Sequence, residues 1–329
     1  MRTIKKVASH IFIDGFGGMT QGLFATLIIG TMIQQIGLLI GGSTGNVIYL
    51  LGKAAAALTS AGIGVGVAVK YGESPLVTVS AAVAAMVGGY AGKITGGTFF
   101  VDGNAVLAGP GEPLGAFIAA FAGITCGHLV SGKTKVDIIV TPVITIGAGS
   151  VVGLLVGPPI SQMMTGLGSI INWATEQRPF IMGIVVSVVM GMVLTLPISS
   201  AALGIILNLS GLAAGAATIG CCCNMVGFAV ASYRENKFGG LVAQGLGTSM
   251  LQVPNIMRHP LIWLPVIFSS AILGPVSTIL ANMQNNATGS GMGSAGLVGQ
   301  ITTYQTMIAY DDPKLSLIHI SEPTRLLSI

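Results

Sequence analysis

The sequence predicts an all-α polytopic membrane protein with about 8–10 transmembrane helices, several broken or re-entrant segments and a faint internal repeat. Three observations predict it. Hydrophobic residues make up 52% of the 329 positions and charged residues only 7%, against about 25% charged in a soluble domain. Apolar stretches near the roughly 20 residues that a helix needs to cross a 30 Å hydrocarbon core recur along the chain, and mean hydropathy is +0.85. There are 49 glycines, and small residues let helix backbones approach closely in lipid. The apolar runs are continuous rather than alternating, which argues against a β-barrel.

Spans are predicted over 18–40, 46–69, 75–92, 112–131, 137–157, 179–197, 211–231 and 260–284. Between them lie three segments broken by glycine or proline: 93–111, 197–210 and 239–260. Such segments in both halves of a transporter mark its substrate site. Residues 135–161 echo 259–277, each running from a polar start through Pro-Val-Ile to Gly-Pro. One membrane domain is expected over 1–310, with halves 1–175 and 176–310 and a flexible polar linker at 285–296. The stretch 311–329 contains LSLIHISEPTRLLSI, which resembles a translated sequencing adapter and is expected to be a non-native tail.

Arg2, Lys5 and Lys6 precede the first span and supply much of the net charge of +4. They favour a cytoplasmic N-terminus, with Ile4, Val7, Ala8 and Ile11 on the apolar face of a short surface helix. No basic stripe with interleaved aromatics speaks for nucleic acid. Cys221, Cys222 and Cys223 are consecutive, so on a helix they point about 100° apart and suit packing rather than one metal. No Walker loop, hydrolase triad or metal-ligand spacing is present, so neither a cofactor nor a metal is expected.

Glu112 is the leading candidate site residue. A carboxylate at mid-bilayer costs about 2.5–3.5 kcal/mol on insertion scales, so it usually serves a polar cavity. Pro113 suits the first turn of a helix, which puts Glu112 near its N-cap, as a cap or as an acceptor for a substrate hydroxyl. Asp102 and Asn104 lie in the same segment, as an Asx-type turn or as substrate contacts. In the second half Gln244, Thr248, Ser249, Gln252 and Asn255 form a neutral polar set. Amides both donate and accept, which suits a hydroxyl-rich sugar or polyol, and they also bond helices together. Arg258 is an interfacial anchor or a partner for a phosphorylated product.

The strings GPGEPLGAFIAAF (109–121) and LGTSMLQVPNIMRHPLIWLP (246–265) resemble the membrane IIC components of the phosphoenolpyruvate-dependent sugar phosphotransferase system. The likeness is greatest to the perfringolysin-regulator-like branch. The resemblance implies a permease of the bacterial inner membrane, a homodimer, that hands its sugar to a separate IIB protein charged by IIA. It also implies sugar binding by the glutamate of a Gly-x-x-Glu-Pro motif, matched here by Gly109, Glu112 and Pro113. No IIA or IIB domain is fused, and the histidine that assists sugar binding in better-studied IIC families has no counterpart. The family ends in a further span that this chain lacks after Tyr304, which with the tail implies a reading frame that stops early. Glu112, Asp102, Asn104, Gln252, Asn255 and Arg258 are the expected substrate residues. A membrane solute sensor and a proton-coupled transporter without phosphorylation are the alternatives.

Overall fold

The computed structural model describes residues 14–101, 103–107 and 109–311. The expected surface helix at the N-terminus, Asp102 and the tail beyond Asp311 lie outside them. All eight predicted spans are helical. α1 is Phe16–Ile40, with one wide π-turn at Phe24–Ile28. α2 (Gly42–Ala57) and α3 (Thr59–Lys70) form one path bent by 53°. α4 is Pro75–Gly89. A short α5 (Ala91–Thr95) and a hairpin of β1 (Phe100–Val101) and β2 (Asn104–Ala105) follow. α6 is Pro113–Val130, α7 Asp137–Thr175, α8 Pro179–Thr195, α9 Ser200–Ile206 and α10 Gly211–Ala231. Then come α11 (Tyr233–Val242), α12 (Val253–Arg258), α13 (Pro260–Leu280), α14 (Ala287–Ser290) and α15 (Val298–Asp311).

Five of these helices are long and apolar enough to cross a membrane (α1, α6, α7, α10 and α13), and the bent pair α2–α3 makes a sixth. α4 and α8 are shorter and equally apolar. Two spans differ from expectation. The 46–69 span breaks at Leu58, whose φ and ψ of −86° and 10° leave the helical region. The 137–157 span continues to Thr175 through Pro158 and Pro159. Its 39 residues cover about 58 Å at 1.5 Å per residue, more than a hydrocarbon core requires.

Glycine governs the packing. A Cβ on Gly18 would stand 2.6 Å from the Gly66 carbonyl, so α1 and α3 touch backbone to backbone. Farther along α1, Gly30 and Gly37 face Gly52 and Gly45 of α2 in the same way. Two three-helix units follow. α4, α6 and α7 pack on one another, as do α8, α10 and α13. In each unit a broken segment joins the first two helices, 90–112 in one and 196–210 in the other. The echoing stretches 135–161 and 259–277 supply the third helix of each, α7 and α13. A separate apolar cluster, Ile160, Met164, Val193, Ile198 and Leu203 with Leu114 and Ile118 against it, seals the two units together.

The expected linker at 285–296 is instead packed into the second unit. Asn285 is fully buried and donates to Thr218 Oγ1 at 2.8 Å and the Gly299 carbonyl at 3.2 Å. Gly291 lies against the Ser200 backbone and Gly293 against Cys221. Its glycines and serines serve close contact rather than chain freedom.

Candidate functional site

The turn from α4 into the first broken segment sets the position of Glu112. The Glu112 N–H donates to the Gly89 carbonyl at 2.7 Å. Ser60 Oγ donates to the Pro110 carbonyl at 3.0 Å, and the Tyr90 hydroxyl donates to the Gly109 carbonyl while lying 3.4 Å from that of Ala57. Ser60 and Ala57 flank the bend between α2 and α3, so this bend cradles the Gly-Pro-Gly loop. Gly109 and Gly111 have φ of +80° and +76°, a conformation that L side chains rarely adopt. A Cβ on Gly111 would also strike Ser60 Oγ.

Glu112 is the N-cap residue of α6, extended at φ −93° and ψ 114°, with Pro113 starting the helix. Its side chain does not cap in the usual way. The carboxylate lies against the backbone N–H groups of Ser199, just before α9, and of Leu114 in the first turn of α6, while Oε1 is buried with no hydrogen-bond partner among the described residues. A buried acceptor left alone carries a desolvation cost. The segment it reaches is irregular because Pro197 ends α8, and the Ile198 and Ser200 N–H groups bond two residues back, to Leu196 and Ile198. Ser200 Oγ is held by the Gly291 carbonyl at 2.6 Å, so the buried 285–299 segment backs this wall.

Glu112 lines a cavity of about 580 Å³ between the two units. Gly88, Gly89 and the 109–111 loop form one wall, Gly157, Ile160 and Met164 of α7 a second, and Ala201 and Ile205 of α9 a third. Lys93 of α5 enters it as well. The volume falls in the usual range of about 300–1,000 Å³ for small-molecule sites.

The other expected site residues lie elsewhere. Asn104 is exposed in β2 opposite Val101. Gln252 donates to Gln244 Oε1 at 2.9 Å, Asn255 donates to Gln252 Oε1 at 2.8 Å, and Gln244 donates to Ser232 at 2.8 Å. The amides satisfy one another and do not line the Glu112 cavity, and exposed Arg258 ends α12. Ser249 joins Thr195, Asn224, Ser270 and Trp263 in a second hydrogen-bonded set. Met250 and Val253 pack into the core around Phe16, Ile63 and Phe117. Segment 239–260 thus spends its amides on mutual hydrogen bonds, and the wall of the cavity from the second half comes from Ala201 and Ile205.

Three contributors escaped the sequence reading. Lys93 carried a signal, a lone cation between Gly92 and Ile94 in an apolar run. Ser60 and Tyr90 carried none, since only the bend of α2–α3 brings them under the loop.

The family model for the phosphotransferase system EIIC matches residues 13–323. The chain belongs to that family. It is a multi-pass membrane protein, and the Gly109–Glu112–Pro113 motif of this EIIC chain stands at the junction of its two units. No curated protein matches the chain.

Proposed function

We propose that this EIIC chain is the sugar-translocating membrane subunit of a phosphoenolpyruvate-dependent phosphotransferase system. Its sugar or polyol is held in the Glu112 cavity, and a separate IIB protein, recharged by IIA, supplies the phosphoryl group. The single observation that carries this reading is Glu112, with a lone buried oxygen at a cavity where both broken segments meet. An ionised acceptor makes hydrogen bonds to hydroxyls about twice as strong as neutral ones. The apolar remainder of the wall suits the carbon faces of a sugar ring. The chain's part is binding, orientation and exclusion of water, while the transferred group comes from the partner. Arg2, Lys5 and Lys6 support a cytoplasmic N-terminus in a bacterial inner membrane. The 109–121 and 246–265 strings support the perfringolysin-regulator-like branch, and the resemblance supports a homodimer.

Vesicles that carry the full-length protein, supplied with soluble phosphotransferase proteins and phosphoenolpyruvate, test the reading. Labelled sugar accumulates as its phosphate ester if it holds. Uptake of unmodified solute driven by a proton gradient would replace it with a proton-coupled transporter working through Glu112. Binding without uptake would replace it with a sensor.

A further inference from the structure

Four consecutive residues of the Glu112 loop are held from behind. The Tyr90 hydroxyl donates to the Gly109 carbonyl, Ser60 Oγ donates to the Pro110 carbonyl at 3.0 Å, and the Glu112 N–H donates to the Gly89 carbonyl at 2.7 Å. Gly111 fits between them, since a Cβ there would strike Ser60 Oγ and stand 3.2 Å from Tyr90 Cε2. Ser60 and Tyr90 are 0% and 1% exposed, and neither lines the cavity. Ser60 belongs to the α2–α3 bend, and Tyr90 reaches it. The helical path breaks at Leu58, and a helix end leaves its last carbonyls without intrahelical donors. Thr59 Oγ1 donates to the Ala56 carbonyl at 2.6 Å, and the Tyr90 hydroxyl lies 3.4 Å from that of Ala57. The loop needs such support. Glycine is the least restrained of residues on its own, whereas a binding group must be held to within about 0.5 Å.

We infer that Ser60 and Tyr90 are positioning residues for Glu112, which clamp the Gly-Pro-Gly loop to the α2–α3 bend and so aim the carboxylate without touching the ligand. The bend is then part of the binding machinery, although none of its residues lines the described cavity. A phenol has one proton to donate. Tyr90→Phe therefore takes the donor from the Gly109 carbonyl and leaves the ring in its packing against Phe99, with centroids 5.3 Å apart. That the clamp serves a sugar or polyol rests on the proposed function, whereas the clamp itself does not.

Equilibrium binding of a panel of hexoses and hexitols to the purified full-length chain in lipid nanodiscs tests this. Tyr90→Phe and Ser60→Ala are each made in the wild type and again in Glu112→Gln. Either change weakens binding about fivefold or more in the wild type. In Glu112→Gln it costs no more than about twofold, because a clamp that acts through the carboxylate then has little left to place. Unchanged affinity in the wild type, or an equal loss in both backgrounds as a purely structural role would give, overturns the inference. If no member of the panel binds the wild type, the sugar reading fails by itself, and hydrogen exchange of the Gly111 and Glu112 amides decides the clamp. Exchange there that rises about tenfold in either variant, with the α6 amides beyond Ala116 unchanged, upholds the clamp. Unchanged exchange in the loop, or an equal rise along α6, overturns it.

Discussion

Glu112→Gln keeps the shape of the side chain and removes its charge. A hydrogen bond to a charged group contributes about 1–1.5 kcal/mol more than a neutral one, so sugar affinity should fall about fivefold to tenfold. Thermal unfolding should stay near that of the wild type, because the amide keeps an acceptor oxygen for the Ser199 and Leu114 N–H groups. Unchanged affinity would reduce Glu112 to a structural carboxylate. The loop beneath it makes a second prediction. Gly111→Ala forces a Cβ to a φ of +76° and into Ser60 Oγ, and the left-handed strain alone costs about 1–2 kcal/mol. Ser60→Ala removes one hydrogen bond, worth about 1 kcal/mol net. Together the two changes should cost less than their sum, since the second removes the atom that the first strikes. Strict additivity in a double-mutant cycle of unfolding temperatures would contradict the contact.

At the scale of elements, glycine-mediated crossings hold the units together. A Cβ on Gly220 of α10 would meet the Ser187 carbonyl of α8, whereas among the described residues nothing lies within 4 Å of a Cβ on Gly147 in α7. Gly220→Ala should therefore destabilise by about 1–3 kcal/mol through overpacking. Gly147→Ala should leave stability unchanged or raise it by up to about 1 kcal/mol through helix propensity. Thermal unfolding in detergent checks the pair, and equal effects would argue against glycine-mediated packing. The spans were legible because a continuous apolar run of sufficient length has one stable form in lipid. The bend at Leu58 was not legible, since no proline marks it. The 285–299 segment was misread because Gly, Ser and Asn compose a flexible linker and a close helix contact alike. The extension of α7 was hidden by Pro158 and Pro159, which read as a stop.

At the scale of the whole molecule, the two three-helix units place their broken segments against each other, and the cavity is the space between. Glu112 was legible as a charge in an apolar chain, and its own motif marked it. Its neighbours across the cavity were not, because residues 199–205 carry little polarity, while the polar 239–260 segment spends its amides on mutual hydrogen bonds. The central claim is that substrate sits between the Glu112 loop and α9. Binding of the transported sugar to Ile205→Trp and Gln252→Ala, measured side by side with wild type, tests it most directly. Ile205 lines the cavity and Gln252 does not. A bulky indole at 205 should abolish binding, while Gln252→Ala should leave affinity within about twofold, as expected for a residue outside the site. Full affinity in Ile205→Trp together with lost binding in Gln252→Ala would place the sugar at segment 239–260 and contradict the account.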